Sequence, residues 1–177
     1  LNYLWNLHSS TLLYAELFSR GFIKSAWAAQ LGIKYYSKLT SNLTLSSSLA
    51  WLQTGSEFYG THYEQNFTHQ NLPLGTLLGN GAQELILAAR IGYRRFFIDY
   101  LFQSSTMKNS SQPLLIQTYI RPEQIVQHRI DAGFMASNIM QLEVFLGITR
   151  RSALDFKDCN AISFGLRTAI FKPNHVY

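Results

Sequence analysis

Residues that could support metal or phosphate chemistry are concentrated between positions 60 and 82. His62, Glu64 and His69 offer three potential metal ligands, but their spacing does not match the helical His-Glu-x-x-His zinc motif. A glycine-rich stretch at residues 75–81 lacks the Lys-Ser/Thr pair that completes a phosphate-binding loop. We interpret the three polar residues as solvated loop residues and the glycines as turn formers. We therefore expect no metal and no cofactor.

No arrangement of residues elsewhere in the sequence indicates catalysis. Neither a serine, histidine and aspartate set nor a pair of carboxylates stands out by its spacing. The single cysteine, Cys159, excludes a disulfide framework and a cysteine-based metal site within these 177 residues. The sequence therefore predicts a protein that is not an enzyme.

Charged residues are scarce and only mildly basic. They make up 14% of the sequence, with 15 Lys+Arg against 10 Asp+Glu and a net charge of +5, whereas soluble domains contain about 25%. This surplus is too small for a nucleic-acid-binding surface, and the hydrophobic content of 47% excludes a disordered chain. Ser, Thr, Asn and Gln interrupt every long uncharged stretch, so none provides the roughly 20 apolar residues of a membrane-spanning helix. Polar and apolar residues must instead alternate over a short period.

Alternation with a period of two runs through most of the chain. In residues 42–53, Leu43, Leu45, Leu49 and Trp51 share one parity, and small residues such as Ser46 occupy the other. Similar windows predict about eight strands, at residues 11–19, 27–36, 42–53, 83–93, 96–105, 125–136, 141–149 and 161–171, with a possible further strand at residues 3–8.

Nearly all the strand charges fall on the parity opposite the apolar stripe. This predicted polar face holds five acids and four bases: Glu16, Lys34, Glu84, Arg90, Asp99, Arg129, Asp131, Glu143 and Arg167. The predicted apolar face, which we expect to contact lipid, consists of Leu43, Leu45, Leu49, Trp51, Leu85, Leu87, Ile91, Ile98, Tyr100, Phe102, Ile130, Phe134, Leu142, Val144, Leu146, Phe164 and Leu166. Gly, Ala, Ser and Thr accompany the charges, which is typical of a crowded interior. The pattern favours an antiparallel transmembrane β-barrel over a soluble lipocalin-like barrel or a sandwich.

The predicted connections alternate in length. Short turns are predicted at residues 37–41, 94–95 and 137–138, long loops at residues 60–82 and 106–124, and an intermediate connection at residues 152–160. Outer-membrane barrels have short periplasmic turns and longer external loops, so we expect the two long loops to carry contacts with partners or glycans. Because the interior charges alternate in sign, a packed ion-pair network is favoured over an open, selective pore.

Five segments resemble the RemB family of gliding-motility proteins of Bacteroidetes, to which the Wzi-like capsule-assembly barrels are related: residues 13–16, 28–36, 68–75, 79–85 and 164–169. These segments contain no catalytic motif. The resemblance implies an outer-membrane barrel in a bacterium with surface motility or type IX secretion. The length of 177 residues predicts a single domain, and the resemblance implies that residues 1–177 form the C-terminal part of a longer barrel. One departure is Pro173, which interrupts the last strand and leaves Tyr177 rather than Phe171 as the terminal aromatic residue.

We therefore expect an all-β protein of the bacterial outer membrane, with a structural or interaction role in surface motility, secretion or surface-protein assembly. Its expected partners are lipid, other outer-membrane or surface proteins and possible surface glycans, but not nucleic acid. One alternative is a channel or a capsule- or glycan-binding barrel of the Wzi type. A second alternative is a soluble lipocalin-like carrier.

Overall fold

Strands account for nearly all of the described backbone. The computed structural model describes residues 2–19, 27–55, 68–69, 72–73, 81–107, 124–137, 142–153 and 156–168. Its strands are β1 (Asn2–His8), β2 (Thr11–Ser19), β3 (Trp27–Lys38), β4 (Leu43–Thr54), β5 (Thr68–His69), β6 (Leu72–Pro73), β7 (Ala82–Tyr93), β8 (Phe96–Met107), β9 (Gln124–Ser137), β10 (Leu142–Ala153) and β11 (Phe156–Arg167). These residues contain no helix, which confirms the all-β prediction.

Nine of the strands form one antiparallel sheet in the order β1-β2-β3-β4-β7-β8-β9-β10-β11. Each strand of this sheet pairs with the next one along the chain, except that β4 pairs with β7 across the short β5–β6 pair. The sheet is open, with β1 and β11 at its edges. The strands and their antiparallel pairing were predicted from alternation, whereas closure into a barrel stays a prediction.

Short turns join the strands at one rim of the sheet. Residues 9–10 connect β1 to β2, and residues 94–95 connect β7 to β8. The Tyr36 amide donates to the Ser10 carbonyl at 2.8 Å, and the Arg94 amide donates to the Asn42 carbonyl at 2.9 Å. Arg94 has a φ of 53°, a left-handed conformation that L side chains rarely adopt. The predicted turn at 94–95 is confirmed, whereas the predicted turn at 137–138 falls partly outside the described residues.

The predicted intermediate connection at residues 152–160 is wrong. β10 continues to Ala153 and β11 already begins at Phe156, so that Arg151 pairs with Cys159. The sequence signal fails here because residues 157–160 are mostly polar on both parities and show no alternation. Ladder formation needs only backbone N–H and C=O groups, so pairing with β10 continues through this polar segment to Phe156.

The polar face of the sheet is buried and the apolar face is exposed, which is the reverse of the distribution in a sheet surrounded by water. On the polar face Asp131 is 3% exposed and Glu143 is 8% exposed. On the apolar face Leu146 is 56% exposed and Phe164 is 75% exposed. Of the predicted apolar face, the following are among the exposed large hydrophobic residues: Leu49, Leu85, Ile91, Ile98, Ile130, Phe134, Leu146, Phe164 and Leu166.

Glycines on the polar face lie beneath aromatic rings from neighbouring strands. The Phe97 ring covers Gly133, and the Tyr14 ring covers Gly32, so closely that a Cβ at either glycine would overlap the ring. Glycine gives a strand room to bend, and an aromatic side chain lying over it restores packing. The pairs therefore allow the sheet to curl with its polar face on the concave side.

Candidate functional site

Six charged side chains from five consecutive sheet strands meet on the polar face. We refer to them as the ion-pair network: Arg90 of β7, Asp99 of β8, Arg129 and Asp131 of β9, Glu143 of β10 and Arg167 of β11. All six were predicted to share this face. The network contains three acids and three bases, so its formal charges cancel.

Arg167 is the centre of the network. Its Nε donates to Glu143 Oε2 at 2.5 Å, and its Nη2 donates to Asp99 Oδ2. Its Nη1 lies 3.7 Å from Asp131 Oδ2. One guanidinium group therefore contacts three carboxylates, each through a different nitrogen.

The other two arginines complete the coordination of the same carboxylates. Arg90 donates from Nη2 to Glu143 Oε1, and its Nε lies 3.4 Å from Asp99 Oδ1. Arg129 donates from Nε to Asp131 Oδ1 at 2.9 Å. Each carboxylate in the network therefore contacts two arginines, which is how a charged group with little access to water is stabilised.

The carboxylates lie deeper than their partners. The side chains of Asp131 and Glu143 are 4% and 11% exposed, whereas those of Arg90 and Arg167 are 36% and 35% exposed. Removing an arginine would leave a buried carboxylate without part of its compensation, which is costlier than losing an exposed ion pair.

Two phenylalanines fill the space around the network. The Phe97 ring, 4% exposed, has the guanidinium carbons of Arg90 and Arg167 at 4.2 and 4.9 Å from its centroid. The Phe145 ring has those of Arg167 and Arg129 at 5.2 and 5.7 Å. All four distances are within cation–π range. Rings and charges together make a packed interior of the polar face.

The span of the ion pairs requires strong curvature. Arg90 on β7 contacts Glu143 on β10, and Asp99 on β8 contacts Arg167 on β11. In a flat sheet, three strand spacings alone would separate each pair by about 14 Å. Each pair is also offset by four residues along the strands, since Arg90 and Asp99 lie in register with Gly147 and Ser163. Contact is possible only because the sheet curls around the network.

The remaining predicted polar-face charges lie outside the network. Glu84 accepts hydrogen bonds from Gln103 at 2.5 Å and from Ser105 at 2.9 Å. Lys34 lies 5.3 Å from the centroid of the Tyr14 ring, and Glu16 pairs in register with Gln30. Sequence reasoning did not identify the roles of Gln103, Ser105 and Tyr14, although their parity with the charges was a usable signal.

A cavity of about 470 Å³ opens at the short-turn end of the polar face. Its charged lining consists of Arg90, Arg94, Arg95, Glu143 and Arg167. Two of these arginines and Glu143 belong to the neutral network, so the turn arginines give the cavity mouth its positive charge.

The structure does not test metal binding by His62, Glu64 and His69. His62 and Glu64 lie outside the described residues, and for His69 only its place in β5 is described. Within the described residues, no group of three or more His, Cys, Asp or Glu side chains is placed to hold a metal ion. No helix in this part of the chain is long and apolar enough to span a membrane.

Comparison of the chain with protein-family models, curated proteins and solved structures finds no match.

Proposed function

We propose that this chain forms a membrane-embedded part of a bacterial outer-membrane β-barrel, with the polar face inward and the apolar face against lipid. The observation that carries the proposal is the reversed burial. Charges occupy the protected concave face, while leucine, isoleucine and phenylalanine side chains remain exposed on the convex face. Transmembrane barrels have this distribution because their outer solvent is hydrocarbon.

The distribution of charged and apolar residues over the two faces does not fit a soluble sheet. Water-facing sides of antiparallel sheets carry the charges, but here the charges are packed beneath one another and beneath two phenylalanines. The apolar face would be a continuous exposed patch, which soluble monomers rarely present at large size. Lipid covers that face without a second protein layer.

The proposed role is structural rather than catalytic or conductive. Carboxylates and arginines of the network neutralise one another, and Phe97 and Phe145 fill the space between strands. A packed interior suits an anchor for surface-protein assembly, in which the long loops predicted at residues 60–82 and 106–124 would bind other proteins or glycans. Involvement in surface motility or secretion is supported by the sequence resemblance to RemB-like proteins alone.

Leu146→Arg tests the membrane assignment. In water, replacing a leucine that is 56% exposed by arginine changes stability little, whereas in a bilayer it costs about 2–4 kcal/mol near the midplane. We expect the variant to lose the heat-modifiable folded band in lipid vesicles. The control is Asn160→Arg on the same face of β11, where the native residue is already polar and exposed. Folding of Leu146→Arg in lipid-free buffer with unchanged stability would contradict the proposal.

A second candidate function, a channel or glycan-binding barrel of the Wzi type, is favoured by the arginine-lined cavity. Planar-bilayer conductance separates the two candidates. The anchor role predicts no stepwise conductance from purified protein. Steady, anion-selective steps that disappear in an Arg94→Glu/Arg95→Glu variant would favour the channel.

A further inference from the structure

Backbone pairing arranges the outward side chains in rows that run across the sheet, perpendicular to the strands. Each row can be followed from β2 or β3 towards β11 through successive cross-strand partners. Three consecutive rows change from apolar to polar side chains, and each changes at a different strand.

The row through Gln53 changes first. It contains Leu17, Ala29, Gln53, Gln83, Thr106 and Gln124, and it becomes polar between β3 and β4. The next row contains Ala15, Leu31, Trp51, Leu85, Ser104, Val126 and Ser152, and apart from Val126 it becomes polar between β7 and β8. The row after it contains Leu13, Ile33, Leu49, Leu87, Phe102, His128, Arg150 and Asn160, and it becomes polar between β8 and β9.

The boundary between apolar and polar surface is therefore slanted. From the first of these rows to the third, the boundary moves two rows along the strands, which is four residues or about 14 Å. Over the same interval it moves across the sheet by three strand spacings, which is also about 14 Å. These lengths correspond to a slope of about 45° against the rows. Because the rows are perpendicular to the strands, a flat membrane surface crosses the rows at the angle by which the strands tilt from the membrane normal. Membrane barrels have strand tilts of roughly 35–45°.

We infer that the apolar face is covered by lipid acyl chains, that the strands between β3 and β9 cross them at about 45°, and that the upper ends of β9, β10 and β11 extend beyond the hydrocarbon. This inference rests on the proposed membrane role and adds the orientation in the bilayer. From β9 to β11 the boundary follows the rows instead of descending further: the hydrocarbon edge passes above Ile130, Ile148 and Ile162, which share one row, and below His128, Arg150 and Asn160, which share the next.

The polar contacts above this edge fit an aqueous or headgroup environment. Arg150 Nη2 donates to Asp158 Oδ2 at 3.0 Å, and the two side chains are 67% and 46% exposed. Charges placed outward in hydrocarbon would be costly, whereas above the edge this pair is solvated. The Tyr100 hydroxyl lies 3.0 Å from His128 Nδ1 at the edge itself, and aromatic side chains with a polar tip are enriched at that depth.

Single cysteines in a Cys159→Ser background test the slant. Leu49→Cys and Asn160→Cys lie in the same row but on opposite sides of the inferred edge, and Ile162→Cys lies one row below Asn160. The probe is a membrane-impermeant maleimide, applied to variants that retain the heat-modifiable fold in phosphatidylcholine vesicles. We expect Asn160→Cys to be labelled, and labelling to be lost at Leu49 and Ile162. All three should react in urea without lipid.

The two proposals fail in different ways. If Ile162→Cys is protected but Leu49→Cys and Asn160→Cys behave alike, the boundary follows the rows and the inferred tilt is overturned, while the membrane role stands. If all three cysteines react in folded protein in vesicles, the membrane role fails and the inference fails with it. Ile162 is a stringent position because the residue is 78% exposed in the protein alone, so only lipid would protect it from the probe.

Discussion

Glu143→Gln perturbs the ion-pair network with almost no change of shape. Glu143 accepts hydrogen bonds from both Arg167 and Arg90, and its own side chain is 11% exposed. The amide keeps one acceptor oxygen but removes the negative charge. The network then holds three bases and two acids around a buried centre.

The expected loss of stability lies between two limits. Breaking a fully buried ion pair costs about 3–5 kcal/mol, and breaking a surface pair costs about 0–1 kcal/mol. Because the two arginines remain about one third exposed, solvent offsets part of the loss. We expect about 2 kcal/mol, which corresponds to an approximately 30-fold change in the unfolding equilibrium.

Urea-induced unfolding in lipid vesicles, followed by tryptophan fluorescence, measures this change. The matched control is Asp158→Asn, which disrupts a pair whose members are 67% and 46% exposed and should cost less than about 1 kcal/mol. A double-mutant cycle with Arg167→Gln should show a smaller combined loss than the sum of the single losses. Equal effects of Glu143→Gln and Asp158→Asn, or strictly additive losses in the cycle, would refute the network's structural role.

Three further substitutions have defined outcomes in the same unfolding assay. Gly133→Ala should lower the free energy of unfolding by about 1–3 kcal/mol, because the new Cβ would lie 2.5 Å from a backbone carbonyl oxygen and would overlap Phe97. The control Gly92→Ala should lower it less, because its Cβ would meet only a threonine hydroxyl. The reverse order would contradict the argument that Gly133 makes room for the curvature. Arg94→Gly should stabilise by about 1 kcal/mol by relieving its positive φ, while Arg95→Gly should not stabilise; equal effects would contradict the assignment of strain. Phe97→Ala should lower the free energy of unfolding by about 3–5 kcal/mol, and Phe97→Leu should lower it less. Equal small losses for both variants would contradict a packing role for the ring.

Alternation along single strands predicted most of the fold. Charge segregation placed Arg90, Asp99, Asp131, Glu143 and Arg167 on one face because parity survives in any antiparallel pairing without a register error. Curvature was not encoded so locally. Glu143 meets Arg90 only because the sheet curls between β7 and β10, where Gly133 lies beneath Phe97 and gives β9 room to bend. No period in one strand reports that.

Strand ends were predicted less well where polarity was uniform. The start of β11 was missed because Lys157, Asp158 and Asn160 show no alternation. The slanted boundary explains the missing signal, since these residues lie above the inferred hydrocarbon edge, where both faces are solvated. Alternation reports a strand only while its two faces meet different environments.

The reach of the network also constrains the order in which the sheet can assemble. Hairpins form from neighbouring strands, but Arg90 on β7 meets Glu143 only when β10 is in place, and Asp99 on β8 meets Arg167 only when β11 is in place. Arg90 and Asp99 can pair with each other within a β7–β8 hairpin. A β9–β10 hairpin entering lipid alone, in contrast, would carry Glu143 without either of the arginines that it contacts, Arg90 and Arg167. On the proposed membrane role, strands β7 to β11 should therefore insert together as one curved unit. Truncation after β10 removes Arg167 and leaves Glu143 with Arg90 alone, so it should impair assembly. Truncation after β9 removes Glu143 as well and leaves two paired sets of charges, so it should impair assembly less.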